Sequence, residues 1–390
     1  MIKEYWANCI ANNQQINPFD DLDSKIQLLK SKGKYIIDFG VGDPAKIEGI
    51  NPYLVNKFNL NYQDYANKGY PGNTGDKDFL ISAQQYLAKE HNVVLDTENI
   101  LITNGSKTAI TLVPRIFLND KDDVIICPNP CYPNFKTGAQ LFNANIYMVP
   151  LLQENNFLID FHSIPIDICN KAKYIWINYP NSPTGAIAPK DYLLDLIKWC
   201  HKYNIILLSD EAYIDIYFNQ KQTSILELTQ QGVLAFFSLS KSFNMTNHRI
   251  GFIAGDKSLI NKFYKLSNMY NDGVPSIIQS MGKIALDASD KILPQSRQNY
   301  ALKAQLLKKM FVDKFNCLEA VYSKGSIFLW QEVPKNIDDK QFSNILLNKG
   351  IAVMCGSDFV DDKYKHIGSK YIRVALIQNI NTIKEIINEI

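Results

Sequence analysis

Leu234-Ala235-Phe236-Phe237-Ser238, continued by Leu239-Ser240-Lys241-Ser242-Phe243-Asn244-Met245-Thr246-Asn247-His248-Arg249-Ile250-Gly251, is the stretch on which the fold turns. Its first five residues read as a strand buried on both faces of a parallel sheet, where strands appear as near-continuous apolar runs. Lys241 then falls just past the carboxyl end of that strand, the place where open α/β sheets bind their ligands. A lysine between serines is ordinarily a solvated surface residue. Here Ser238, Ser240 and Arg249 offer an anion site beside one amine. An amine so placed can condense with an aldehyde whose phosphate the anion site holds.

Outward from this stretch the chain alternates short apolar runs with longer amphipathic ones. Strands are predicted at Ile100–Thr103, Val124–Cys127, Ile146–Val149, Tyr174–Asn178, Ile205–Ser209, Leu234–Ser238 and Ile250–Ala254. That succession of βαβ units implies a mostly parallel sheet of seven strands. Past Pro275 the pattern changes to helices over Ile277–Ala288 and Ile292–Phe315, then short strands at Ile327–Trp330, Ile351–Met354 and Tyr371–Ala375, a smaller α+β domain. Asn17-Pro18-Phe19-Asp20-Asp21-Leu22 reads as the capped start of a helix in an amino-terminal segment too short for its own core.

With 390 residues the chain exceeds one hydrophobic core, and 46% hydrophobic content fits a globular protein. A net charge of +2 from 41 basic and 39 acidic residues, with no basic tract interleaved with aromatics, argues against nucleic acid as a partner. The seven cysteines (Cys9, Cys127, Cys131, Cys169, Cys200, Cys317, Cys355) form no CxxC pair and read as reduced, mostly buried thiols. The five histidines have no metal-ligand spacing, so no metal is expected. Met1 to Asn8 lacks the apolar core of a signal peptide, and no run is long enough to span a bilayer, which predicts a cytoplasmic protein without membrane contact.

Further motifs sit at predicted strand ends. Asp210 closes the apolar run Asn204-Ile205-Ile206-Leu207-Leu208-Ser209, so its carboxylate faces the ligand end of a central strand, unless it is a turn or cap aspartate. Thr103-Asn104-Gly105-Ser106-Lys107-Thr108 links a strand to a helix, and a glycine with small hydroxyls there leaves backbone N–H groups free for an anion, although N-G-S also makes an ordinary turn. Asn178-Tyr179-Pro180-Asn181-Ser182-Pro183-Thr184-Gly185 is a tight turn whatever it binds. Arg373, in Tyr371-Ile372-Arg373-Val374-Ala375, is a charge within an apolar strand, either facing water on an edge or buried against a partner.

Taken together and in this order, these elements resemble the class I and II aminotransferases, pyridoxal-phosphate enzymes of fold type I, over roughly Asp38 to Ala375. The resemblance implies that Lys241 is the cofactor lysine and that Arg249, Ser238, Ser240 and the backbones of Gly105, Ser106 and Lys107 hold the phosphate. It implies that Asp210 keeps the pyridine nitrogen protonated, that Tyr213 bonds to the phenolic oxygen, and that Tyr132 stacks on the ring. Asn247 stands where the family usually has glycine, and Ser182 where it has asparagine, so either Ser182 or Asn181 is left to contact the phenolic oxygen.

Tyr70, in Tyr70-Pro71-Gly72-Asn73-Thr74-Gly75, resembles the tyrosine that reaches the neighbouring subunit's phosphate, which implies a homodimer. Arg373 and the backbone of Gly42 would bind the substrate α-carboxylate, and Lys107 matches a lysine that in one subgroup reads a distal carboxylate. The implied domains are residues 1–48 packing with the small domain, 49–275 binding the cofactor, and 276–390 forming the small domain. The implied reaction moves an amino group from an L-amino acid (aspartate, glutamate or a diaminopimelate derivative) to a 2-oxo acid such as 2-oxoglutarate by a ping-pong mechanism. A lyase or decarboxylase of the same fold and an inactive cofactor-binding regulator are the alternatives.

Overall fold

The computed structural model describes residues 18–390; Met1 to Asn8, Cys9 and the capping residue Asn17 lie outside the described residues. Twelve strands follow in chain order among them: β1 (Ile37–Asp38), β2 (Ile100–Thr103), β3 (Val124–Asn129), β4 (Asn145–Pro150), β5 (Ala172–Asn178), β6 (Ile206–Asp210), β7 (Val233–Ser238), β8 (Gly251–Gly255), β9 (Phe328–Glu332), β10 (Ile351–Ala352), β11 (Met354–Cys355) and β12 (Tyr371–Ala375). Seven of them form one sheet in the order β2-β8-β7-β6-β5-β3-β4, in which only β8 runs against its neighbours. This is the α/β architecture of fold type I, with every predicted strand of the large sheet present to within two residues at either end.

The period-two geometry of a strand divides these residues between two cores. Ile100, Ile102, Ile126, Ile175, Ile177, Leu207, Ala235, Phe237 and Phe252 face one layer of helices, including Lys77–His91 and Lys190–Tyr203. Leu101, Ile125, Cys127, Tyr174, Trp176, Leu208, Leu234, Phe236 and Ile253 face the other, with Ser106–Phe117, Pro133–Leu141 and Lys257–Tyr270. Burial on both faces is why these strands read as apolar runs rather than alternating ones.

A third core forms around a three-stranded antiparallel sheet, β11-β12-β9, packed on the long helix Ser289–Phe315. The predicted strand Ile351–Met354 is in fact two: β10 pairs in parallel with β1, and β11 pairs antiparallel with β12. The chain changes partners at Val353, which is itself buried, so the unbroken apolar run serves two sheets. Phe39 extends the first pairing, its N–H donating to Ala352 O at 2.8 Å while its carbonyl accepts from Ala375 N at 2.7 Å. Among the described residues no helix is long and apolar enough to cross a membrane.

Candidate active site

Lys241 lies in a single helical turn, Leu239–Ser242, directly after β7. A turn this short cannot sustain itself, because fixing its dihedrals costs more than its few hydrogen bonds return. Side chains hold it instead: Ser238 Oγ caps it by accepting from Ser240 N at 3.3 Å, and Arg249 Nη1 donates to Ser240 Oγ at 3.4 Å. The Lys241 amine crosses to the amino-terminal segment and donates to Gly42 O at 2.5 Å. Burial pulls this amine down to about 8; the nearby Asp43 opposes the shift, whereas Arg373 and Arg249 add to it. Asn247, where a left-handed backbone was conceivable, sits in the 3-10 turn Thr246–His248, and the left-handed residues are its neighbours Asn244 (φ 53) and Arg249 (φ 49).

Arg249 is thereby turned toward the start of the helix Ser106–Phe117, which no side chain caps among the described residues. Gly105 precedes that helix at φ 73, and a Cβ there would come within 2.5 Å of Arg249 Nη2. Only glycine fits, on both backbone and steric grounds. First-turn N–H groups without intrahelical partners and a guanidinium over them form a concentrated anion cradle. Gly105, Ser106, Ser238, Ser240 and Arg249 therefore meet at one end of the site.

Asp210 ends β6 at the other end, and among the described residues its Oδ1 accepts only from Ala212 N, at 3.2 Å. Burial raises its carboxyl to about 7, the Ala212 hydrogen bond opposing and Glu211 adding to the shift. A carboxylate this poorly compensated is set up to receive a cationic partner. Tyr132 lies between the ends, since its phenol, pushed up chiefly by burial, feels both the Asp210 carboxylate and the Arg249 guanidinium. Tyr213 is buried, and its phenol is pushed up by burial and by Asp210 and Tyr132, with Arg373 and the Ser182 side chain opposing. The turn bearing Ser182 is locked to β6 by Asn178, whose Nδ2 donates to Asp210 O at 2.7 Å and whose Oδ1 accepts from Ser182 N at 2.7 Å.

Arg373 lies on β12, the central strand of its sheet, and is 4% exposed, so the edge-strand reading is ruled out. Its guanidinium packs over Phe328 at 4.1 Å, Phe359 at 4.4 Å and Phe19 at 5.2 Å, while Nη2 donates to Gly40 O at 2.6 Å. Burial lowers it to about 9, and Nε has no hydrogen-bond partner among the described residues. Asp38 and Asp358 act on it from a distance, but among the described residues no carboxylate pairs with it, and a buried guanidinium without a paired carboxylate is short of an anion. Gly42 faces the same space, and a Cβ on it would strike the Phe328 ring at 2.6 Å.

Residues 34–390 match the family pattern of class I and II aminotransferases. The chain belongs to that family. It is 34% identical over 363 residues to an LL-diaminopimelate aminotransferase of Aquifex aeolicus, covering 92% of this chain and 91% of the relative. It is 33% identical over 364 residues to one of Dehalococcoides mccartyi, with the same coverage. A solved Thermus thermophilus aspartate aminotransferase variant shares the fold at a TM-score of 0.88, with 20% identity and 99% of each chain covered. The protein is thus a fold type I aminotransferase, an enzyme of a family that uses pyridoxal phosphate.

The residues present fit that group. An uncapped helix end with a glycine too crowded for a side chain suits a phosphate, a buried carboxyl suits a ring nitrogen, and one depressed amine lies near Arg249 and Arg373. Two sequence candidates stand apart from the cluster. Tyr70 is 89% exposed and makes none of these contacts within its own chain, and Lys107 is exposed with no ion pair among the described residues. Missed from sequence were Asp43, whose Oδ1 is buried without a hydrogen-bond partner among the described residues, and the phenylalanine cage of Arg373. Asp43 had a signal in its position beside Gly42. Phe359, 14 residues before Arg373 on a separate turn, had none.

Proposed function

We propose that this aminotransferase binds pyridoxal phosphate through Lys241 and transfers the amino group of a diaminopimelate-type, aspartate or glutamate donor to a 2-oxo acid such as 2-oxoglutarate. The observation that carries the reading is the convergence on one space of Lys241, the Gly105–Arg249 cradle, Asp210 and Arg373. When bound, the cofactor supplies an electron sink for the bonds at the substrate α-carbon.

The protein's part is positioning and proton handling. Gly105, Ser106, Lys107, Ser238, Ser240 and Arg249 hold the phosphate; Asp210 keeps the ring nitrogen protonated; Tyr132 covers the ring. Tyr213, with Ser182 rather than Asn181 beside it, faces the phenolic oxygen. Arg373 and the Gly42 backbone orient the substrate α-carboxylate, which replaces water around an otherwise unpaired guanidinium. With the donor in place, the freed Lys241 amine would take the proton from the substrate α-carbon and deliver it to the cofactor carbon two atoms away, a transfer for which an amine pulled down to about 8 is well matched.

The relatives named LL-diaminopimelate aminotransferase support that donor. The high exposure of Tyr70 supports a homodimer in which Tyr70 completes the partner's site. Pairing of β1 with β10 supports grouping residues 1–48 with the small domain of 276–390, around a cofactor domain of 49–275. The test is a panel of amino donors, LL-diaminopimelate and aspartate among them, with 2-oxoglutarate as acceptor, glutamate being tried as donor with a different 2-oxo acid such as pyruvate, and product analysis. Glutamate formation from one donor supports transamination; ammonia release from an amino acid alone, without acceptor, would establish a lyase instead.

A further inference from the structure

Two residues on either side of Phe359 the chain is tethered, and the two tethers lead to different parts of the fold. Phe359 closes the 3-10 turn Gly356–Phe359 between β11 and β12, is 7% exposed, and carries the Arg373 guanidinium 4.4 Å over its ring. On one side, Ser357 N donates to Asp339 Oδ2 at 2.8 Å, at the start of the helix Asp339–Asn348 that packs on β10 and β11. On the other, Asp361 N donates to Asn129 Oδ1 at 3.3 Å, and the Asp361 carboxylate accepts from the Lys136 ammonium. Asn129 ends β3 and Lys136 lies in the helix Pro133–Leu141, so this second tether runs to the large sheet.

Lys136 is four residues beyond Tyr132, the N-cap of the same helix and the ring placed over the cofactor in the proposed function. One ion pair therefore joins the helix that presents the ring cover to the loop that presents an aromatic wall of Arg373. A parallel tie holds the strand itself: Tyr371, two residues before Arg373 on β12 and so on the same face, donates to Gln153 Oε1 at 2.6 Å, just past β4.

Stability does not account for the Lys136–Asp361 pair. Both side chains are 29% exposed, and an ion pair with this much contact with water contributes little to folding. What it fixes is position. Only Val360 separates Phe359 from Asp361, so a fixed Asp361 restricts where the Phe359 ring can lie. The tether's hold on Asn129 is through Oδ1, since Asn129 Nδ2 is buried without a hydrogen-bond partner among the described residues. The Phe359 face matters because a guanidinium attracts a carboxylate more strongly the better water is kept from both.

We propose that Lys136 and Asp361 are positioning residues for substrate binding: held against the large sheet, residues 359–361 keep the Phe359 ring on Arg373 and water off the guanidinium that receives the α-carboxylate. This rests on Arg373 having that role.

The test uses the cofactor-loaded enzyme carrying Lys136→Met, which removes the charge and keeps an apolar stem, Lys136→Arg, which keeps a charge, Asp361→Asn, and the double variant Lys136→Met/Asp361→Asn. Single-turnover rates against concentration of LL-diaminopimelate, L-aspartate and L-glutamate give an apparent dissociation constant and a saturated rate for each donor that reacts. Equilibrium binding of α-methyl-L-glutamate, which has no α-proton to lose, is read from the cofactor absorbance, and melting temperature is measured alongside. Lys136→Met is expected to weaken binding of each of these ligands about fivefold or more with the saturated rate within about twofold, because wetting of Arg373 acts on carboxylate binding rather than on proton transfer. Lys136→Arg should bind within about twofold of wild type, Asp361→Asn should match Lys136→Met, and the double variant should be no weaker than either single, the mark of one shared interaction. Wild-type affinity in Lys136→Met overturns the proposal, whether or not its melting temperature falls. Single losses that multiply in the double variant overturn it too, as does a loss confined to one donor. If Lys136→Met does not fold, Asp361→Asn and Lys136→Arg decide. Arg373→Ala separates the two readings: unchanged donor affinity there removes the role of Arg373 and this inference together, whereas a weakened Arg373→Ala beside an indifferent Lys136→Met overturns this inference alone.

Discussion

Lys303 is 0% exposed, and its one anion among the described residues is Glu48, whose carboxylate lies 2.6 Å from Nζ and is itself 21% exposed. Asn299 donates to both carboxylate oxygens of Glu48, at 3.0 and 3.1 Å. Glu48 ends the short helix Pro44–Glu48, six residues after Gly42, so this cluster pins the substrate-facing segment to the long helix Ser289–Phe315. Glu48→Gln would leave a buried ammonium without its counter-charge, a change that costs about 3–5 kcal/mol when nothing replaces the charge. Glutamine keeps one acceptor oxygen, which places the expected loss near about 3 kcal/mol. For a chain of this length that is a fall in melting temperature of roughly 4 °C.

The pH dependence gives a sharper check. Burial lowers the Lys303 amine even with Glu48 beside it, and without Glu48 it falls further. Between a depressed folded value and the ordinary unfolded one the unfolded chain binds more protons, so stability rises with pH across that window. The Glu48→Gln deficit should therefore be largest near neutrality and shrink as pH approaches 10. Adding Lys303→Met should recover most of the loss, because a pair replaced by apolar groups of similar volume is close to neutral. Thermal unfolding of the cofactor-free single and double variants at both pH values measures this. Equal melting of the two variants, or a deficit independent of pH, would refute the charge argument.

Three further outcomes follow from the site. In cofactor-free protein the Lys241 amine should react with an added aldehyde faster as pH rises and level off above about 8, read by borohydride trapping and mass spectrometry, and Lys241→Ala should trap nothing at that position. Asp210 binds a proton in the fold at pH values where the unfolded chain has lost it, so stability of the cofactor-free protein falls as pH rises from the ordinary carboxyl range to about 7; Asp210→Asn should remove that cost, melting higher than wild type above pH 7, while turnover drops by several orders of magnitude. If Lys107 reads a distal carboxylate, Lys107→Ala should raise KM for 2-oxoglutarate by an amount corresponding to about 2 to 4 kcal/mol and leave pyruvate unchanged; equal losses would place it in phosphate binding.

The large sheet was legible because burial on both faces writes itself into a strand as an unbroken apolar run, as in Val233–Ser238 and Gly251–Gly255. Lys241 and Asp210 were legible for a related reason: in a parallel sheet the residues just past the strands share one edge, so sequence position predicts spatial position. Interactions between distant segments leave no such mark. Tyr86 and Asp215 are 129 residues apart, and neither lies in a spacing that announces the other. The change of partner at Val353 was likewise hidden, since a run that feeds two sheets looks like one strand. The left-handed backbone at Arg249 had no mark in the sequence, because a left-handed arginine is disfavoured on its own and is held here by its bonds to Thr246 O at 2.8 Å and Ser240 Oγ at 3.4 Å.

Spacing alone left Asn181 and Ser182 as equal candidates for the contact near Tyr213, and hydrogen-bond accounting separates them. The Asn181 amide is committed to the turn, with Oδ1 accepting from Thr184 N at 3.0 Å and Thr184 Oγ1 at 2.8 Å, and Nδ2 donating to Asn178 O at 3.2 Å. Ser182 carries none of that load through its side chain; its backbone N–H is held by Asn178, and its side chain acts on the buried Tyr213 phenol, opposing the rise that burial causes. Because two asparagines already close the turn, position 182 can change residue type without loosening Pro180, Asn181 or Pro183. A serine there keeps a donor within reach of the phenol while being smaller than asparagine. The departure from the family pattern is thus confined to one side chain, and the strand end that presents Asp210 is unaffected, since Asn178 ties it to the turn independently of residue 182.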